Sequence, residues 1–335
     1  MRWTRIRKLR GVIAILGTVL IVWALIACDV SDRTTLRIAH THPASPDSEI
    51  HSSAQMFKEH VEANTETLGV RIYDSNKLGD EREVYEAMQL GGEASAAITG
   101  TAILDNFVQR IGVLDLPFLW EDYDHVHRVL DGEVGDILAS ELEEAGFKVL
   151  AWMDSWGYRN VITNREVRHP EDLAGLKIRT IQSPTYVAAL EAMGANPTPM
   201  AFGEVYTSMQ TGVIDGFEHG APAVLAGRYY EVAQHMALTQ HLFGPLVFCM
   251  SVEVWNRLSE EEQRIVQEAA LHARDEQRAQ APIREQAALD TLREKGILIH
   301  EMDTTGFHAR AVELQDQLAQ ERGATDLLQR IREAR

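Results

Sequence analysis

Residues 34–74 read TTLRIAHTHPASPDSEIHSSAQMFKEHVEANTETLGVRIYD, and their hydrophobic pattern changes period twice. Across Thr35 to Ala39, the apolar Leu36 and Ile38 alternate with polar neighbours, which is the spacing of a strand. Ile50, Ala54, Phe57 and Val61 then recur three to four positions apart, so one face of a helix is apolar. Val70 to Asp74 returns to strand. Strand, amphipathic helix and strand in succession predict a βαβ unit.

The alternation continues along the chain without low-complexity runs or internal repeats. Glu83 to Leu90 reads as a helix ended by Gly91 and Gly92, and Ala96 to Thr99 as a third strand. Asp124 to Leu130 and Val134 to Glu144 read as helices, and Lys148 to Trp152 as a strand. The stretch from Trp152 to Trp156 is expected to cross into a second lobe, and Val247 to Ser251 to cross back. Ser183 and Pro184 should open a helix, the serine capping it and the proline fitting its first turn. That helix runs to Met193 and stops at Gly194; another spans Gly203 to Gln210 before Gly212. Ser259 followed by Glu262 is a capping box. It opens a long helix to Lys295, capped by Gly296, with Pro282 as its expected break or kink. From Thr304 onward the tail is charged and helical.

A chain of 335 residues exceeds the ~250–300 that one core comfortably serves, so two lobes are expected. Residues 34–154 with 245–285 are assigned to lobe I, and 155–244 with 286–335 to lobe II and the C-terminal helices. The fold class is α/β: two α/β lobes, a hinge and a long bracing helix.

The first ten residues, MRWTRIRKLR, carry five cations and no acid, and a charge-free, largely apolar run follows to Ala27. This is the pattern of an export signal, residues 1–27. Its ending, Leu25-Ile26-Ala27-Cys28, looks like a bacterial lipobox, which would lipidate Cys28 and leave residues 28–33 as a tether. An ordinary signal peptide or an uncleaved anchor are the alternatives. Asp29 resembles an inner-membrane retention signal, placing the chain in the periplasm on that membrane. Loss of the leader makes the net charge of −18 more negative by five cations. So acidic a chain does not bind nucleic acid by neutralising phosphates, and it repels anionic ligands at long range. The second of the two cysteines, Cys249, lies in the apolar run PLVFCMSV, so no disulfide or cysteine zinc site is available.

Residues 156–221 supply the local positive charge such a ligand needs. They read WGYRN, GLKIRT, GANPTPMAF and GVIDGFEHGA, and contain Arg159, Arg179, Phe202 and His219. A guanidinium keeps its charge at neutral pH and grips a carboxylate through two parallel hydrogen bonds. A strand over Leu176 to Arg179 would bury Leu176 and Ile178 and present Arg179 on the opposite face.

In this order, the pieces resemble the substrate-binding subunits of tripartite ATP-independent periplasmic (TRAP) transporters, the DctP family. The resemblance starts at LRIAHTHPASPDSEIHSSAQMFKEHVE and continues through IYDSNKLGDEREVYEAMQLGG and LDLPFLWEDYDH. It is most specific in LKIR with its upstream G-x-R and in GANPTPMAFGEVYTSMQTGVIDG, and fades after about Gln280. It implies the bilobal periplasmic binding protein fold, a small organic acid as ligand and a separate permease driven by an ion gradient. C4-dicarboxylates and sugar acids such as uronates or aldonates are the ligand classes. Neither a cofactor nor catalysis is implied. In that family the arginine of LK-x-R, here Arg179, holds the ligand carboxylate. The upstream arginine, here Arg159, adds a contact, and the aromatic of PMAF, here Phe202, packs on the ligand. Members often read D-G-x-E-N-P, whereas DGFEHG places His219 where the asparagine touches the carboxylate. Ligand binding is therefore expected to protonate His219 and to tighten as pH falls from about 8 to 6. TQH resembles a family T-N-H at the lobe crossing, which adds His241.

Further candidates are Glu81, as an acceptor for ligand hydroxyls or simply an acid at a helix start, Trp156 and Trp120 as apolar walls, and Thr101. His42 should stand at the carboxyl edge of its strand, where open α/β sheets bind ligands. A rival reading takes His40 and His42, with His51 and His60 nearby, as a zinc or manganese site. A periplasmic enzyme is the other alternative, but neither G-x-S-x-G nor H-E-x-x-H is present. Asp215 and Glu218 as an acid pair read more simply as solvated or hydrogen-bonded carboxylates.

Overall fold

The protein's structure, a computed structural model, describes residues 33–335, so the leader and Cys28 lie outside the described residues. Strands β1 (Thr34–Ala39) and β2 (Leu68–Tyr73) pair in parallel and are joined by helix α1 (Glu49–Asn64). Ser48 caps α1 by accepting the His51 amide, and Ile50, Ala54, Phe57 and Val61 are fully buried along one face. The period change in the opening stretch thus becomes a βαβ unit. Helix α2 (Glu81–Gln89) starts two residues before the expected Glu83, because Asp80 caps it in a reciprocal box with Glu83. Strand β3 (Ala96–Gly100), the short α3 (Thr101–Leu104), α4 (Tyr123–Leu130), α5 (Glu133–Glu144) and β4 (Phe147–Met153) complete the first pass.

The chain then enters a second sheet through β5 (Arg159–Thr163). It continues with β6 (Lys177–Thr180), α6 (Pro184–Ala192), β7 (Asn196–Pro199), α7 (Val205–Thr211), β8 (Gly216–His219), α8 (Ala221–Ala226) and β9 (His235–Leu242). Strand β10 (Leu246–Ser251) returns to the first sheet and inserts between β3 and β4, antiparallel to both. After α9 (Val252–Trp255) comes α10 (Glu260–Glu294), then β11 (Leu298–Glu301), α11 (Thr305–Glu321) and α12 (Thr325–Glu333). The two sheets have the orders β2-β1-β3-β10-β4 and β11-β9-β5-β8-β6-β7.

Helix α10 braces both lobes: Val266, Ala269, Ala270 and Ala273 pack into the core beneath the first sheet, Ala288 and Leu292 into that of the second. Of the break or kink expected at Pro282, the break is absent, and the helix runs on from Glu260 to Glu294. Anchors flank the proline, with Gln277 bonded to Asp154 and Glu285 to Tyr158. Ser183 is extended at the start of α6 but lends no side-chain cap, because its hydroxyl donates instead to Asp105 of the first lobe at 3.1 Å. Both faces of β6 are covered, so Arg179 is buried along with Ile178. The C-terminal helices do not belong to the second lobe alone. Leu327, Leu328 and Ile331 of α12 join Leu138 and Leu142 of α5 in the first lobe's core.

Candidate functional site

Strand ends, helix starts and loops of both lobes meet around one cavity. His42 follows β1, Glu81 opens α2, and Gly100 ends β3; Trp156 lies in the crossing, Arg159 heads β5, and Arg179 sits in β6. Phe202 precedes α7, His219 ends β8, and Tyr186 enters from α6. Seven of the expected site residues therefore converge: His42, Glu81, Trp156, Arg159, Arg179, Phe202 and His219. Thr101 and His241 stand behind this lining. The Thr101 hydroxyl donates to Asp115 at 2.9 Å, and His241 Nε2 lies 4.0 Å from the Glu218 carboxylate.

The two arginines are held differently. Arg159 is gripped by Glu218, through Nε to one carboxylate oxygen and through Nη2 to the other at 2.9 Å. Thr180 Oγ1 adds a hydrogen bond to the same carboxylate at 3.1 Å. Both partners are buried, and burial alone would lower the Arg159 pKa, yet Glu218 raises it further. Arg179 is 2% exposed and has no salt bridge among the described residues. Its Nε and Nη2 both donate to the Met200 carbonyl, at 3.1 and 2.8 Å. Burial lowers its pKa, which marks a charge taken from water without a full counterion.

Aromatic rings fill the space in front of these cations. The His42 ring lies between Trp156 and Phe202, at centroid distances of 5.0 and 4.9 Å and nearly parallel to both. His219 meets Trp156 edge-on at 4.9 Å. The cavity left among them is about 20 Å³, room for roughly one water. Burial, with His40 and Arg159 adding to it, pushes the His42 pKa down to about 3. Burial likewise holds the His219 pKa well below the histidine range, reinforced by Arg159, His42 and Arg179. The Gly220 amide donates to His219 Nδ1 at 2.9 Å, so the neutral ring keeps its proton on Nε2. His219 is thus a neutral donor in the empty cavity, as its cationic neighbours should make it, and the Gly220 amide at Nδ1 opposes the proton uptake expected on ligand binding.

Glu81 faces the arginines from the first lobe and accepts the Thr99 hydroxyl at 2.7 Å. Burial raises its pKa while Thr99 and the two arginines work against the rise. The acid pair considered above is separate in space: Asp215 accepts the Lys177 amide at 2.8 Å, while Glu218 stays with Arg159. His40 Nε2 lies 3.1 Å from His51 Nδ1, away from the ring stack around His42. Among the described residues, no group of three or more His, Cys, Asp or Glu side chains is placed to hold a metal.

Sequence reasoning left Tyr186 and the pairing role of Glu218 unread. Glu218 had a signal, since an acid inside the apolar strand GFEH must find a buried cation. Tyr186 had none: it lies 5.2 Å beneath the Arg159 guanidinium only because α6 packs across the hinge.

Comparison with known proteins settles the lineage. The family model for bacterial extracellular solute-binding protein, family 7 (DctP), matches residues 39–322. The chain belongs to this family. A solute-binding protein of Chromohalobacter salexigens is 35% identical over 84% of this chain and 83% of its own length. A solved TRAP periplasmic solute-binding protein from the same species, bound to D-glucuronate, superposes with a TM-score of 0.84 at 34% identity, covering 90% of this chain and 100% of that one. One from Polaromonas, bound to D-erythronate, gives 0.84 at 31% identity, covering 89% and 98%. This chain is a TRAP solute-binding protein of the bilobal DctP fold, and its relatives are extracytoplasmic binding proteins rather than enzymes.

Proposed function

We propose that this DctP-family protein captures a sugar acid bearing a single carboxylate, a uronate or aldonate, through Arg179. The observation that carries the reading is the buried Arg179 guanidinium, which spends two donors on one carbonyl and meets no carboxylate. An incoming carboxylate would supply the missing counterion. Because Glu218 already pairs with Arg159, Arg179 is the one arginine of the cavity with no carboxylate in contact. A C4-dicarboxylate would carry its second charge toward Glu81, whereas a sugar acid presents hydroxyls that Glu81 accepts. The D-glucuronate and D-erythronate bound by solved relatives support this choice. Trp156 and Phe202 would pack on the carbon chain, in the space His42 occupies in this structure. Ligand entry then requires the lobes to part and His42 to leave the stack, and binding favours whichever closed state contacts both lobes. Lipidation of Cys28 would tether the protein to the outer face of the inner membrane, from which it delivers its ligand to an ion-gradient-driven permease.

Calorimetry tests the ligand class. D-Glucuronate, D-galacturonate or D-erythronate should bind at least about tenfold more tightly than succinate or malate. Tighter binding of a dicarboxylate would overturn the charge argument.

A further inference from the structure

A second cavity, about 330 Å³, lies on the hinge side of the molecule and shares no lining residue with the first. Its size falls within the ~300–1,000 Å³ of small-molecule sites. Phe118 and Tyr158, both half-buried, give it aromatic surface, with the buried Trp120 and Phe243 behind them, and Glu121 and Glu301 are its acidic groups. The acids are weakly compensated: Arg335 approaches Glu121 only to 3.7 Å, and Glu301 has no salt bridge among the described residues. The Tyr158 hydroxyl is buried without a hydrogen-bond partner. Burial first, then the carboxylates of Glu285, Asp122, Asp154 and Glu121, raise its pKa, so this wall stands in a negative potential.

The backbone is strained at the same place. Phe118 and Gln240 both line the cavity with positive φ, 53° and 44°, a conformation that bulky residues rarely adopt. Their neighbours hold them there. The Phe118 amide donates to the His241 carbonyl at 2.9 Å, and the Gln240 amide to Asn160 Oδ1 at 3.2 Å. Gln240 sits in an irregularity where Arg159 pairs with Leu242 but Val161 with Ala237, which loops the intervening residues of β9 out toward the cavity. Such bulges re-aim side chains beside functional sites.

We propose that this cavity is a binding site for a small organic cation, an alkylammonium whose charge rests against Phe118 and Tyr158 with Glu121 and Glu301 in the same lining. Aromatic rings attract such cations through their negative faces, and nearby carboxylates add a charge term that a neutral body of the same shape does not receive. The His308 ring, 4.1 Å from Phe118, closes one side.

Calorimetric titration of the full chain with choline, and separately with its uncharged isostere 3,3-dimethylbutan-1-ol, tests the site. Choline should bind saturably with one site per chain, about tenfold or more tighter than the alcohol. Glu121→Gln with Glu301→Gln should weaken choline several-fold, while D-glucuronate affinity and the melting temperature stay at their original values. Both side chains are exposed, so the variant should fold. Equal binding of choline and the alcohol, undiminished choline binding by the double variant, or no saturation by choline would each overturn the proposal. Because D-glucuronate is read in a separate titration, failure of the acid site would be distinguishable from failure of this one.

Discussion

Arg159 and Arg179 stand on either side of β8, in β5 and β6, and their surroundings assign them different work. Replacing Arg179 with Lys should weaken sugar-acid binding by ~1.5–3 kcal/mol, because an ammonium cannot reproduce the fork. Stability should change little, since only a carbonyl loses its partner. Arg159→Ala should instead cost ~3–5 kcal/mol of folding stability, because it leaves the Glu218 carboxylate buried and unpaired. Calorimetry and thermal melts on the two variants separate these outcomes. His219 gives a prediction opposite to the one its sequence position suggested. Its pKa lies far below neutrality and its Nδ1 is already engaged, so binding between pH 6 and 8 should take up no proton at this residue. Titrations in buffers of different ionisation enthalpy should show the same proton count for wild type and His219→Asn. Asp115 should respond to pH instead. Burial pushes its pKa up to about 7 from 3.8, so the folded state holds a proton that the unfolded state releases. Its contribution to stability is complete below about pH 4 and is lost as pH rises toward 7. Denaturation midpoints across that window should fall less steeply in Asp115→Asn than in wild type.

Among the elements, the crossing into the second sheet tolerates little change. Gly157 there has φ of +79°, and a Cβ on it would come within 2.3 Å of the Glu285 carboxyl carbon. Gly157→Ala should therefore lose ~1–3 kcal/mol from backbone strain alone, with more from displacing Glu285 off the Tyr158 amide, as chemical denaturation would record. The opening βαβ unit was legible in sequence because its pattern switches cleanly between the periods of strand and helix, and Ser259 with Glu262 marked the start of α10 for the same local reason. Ser183 was not. Its cap signal was present, but Asp105, far away in sequence, took its hydroxyl. The arginines and aromatics of the cavity could be picked out as residue types. The counterion of Arg159, the stacking of His42 between two rings and the looped-out part of β9 depend on strand pairing, which no local spacing records.

For the molecule as a whole, the net charge of −18 opposes the approach of an anion, while Arg179 attracts it only from inside the cavity. Screening weakens the long-range repulsion more than the short-range attraction, because the Debye length contracts from ~30 Å at 0.01 M salt to ~8 Å at physiological ionic strength. Association of D-glucuronate should thus accelerate by about two- to fivefold between those conditions, read from stopped-flow tryptophan fluorescence. A rate that falls with salt would mean that the cavity's own charge dominates the encounter. The brace that joins the lobes carries a further consequence. Helix α10 is fastened to the crossing on both sides of Pro282, by Gln277 to Asp154 and by Glu285 to Tyr158 and Tyr123. Proline has no amide hydrogen, so the Arg278 carbonyl lacks its rung between those fastenings. Bending there has one hydrogen bond fewer to strain than elsewhere in the helix. A helix with one rung missing between its two fastenings would serve as a flexure whose elastic return reopens the molecule once its load is gone.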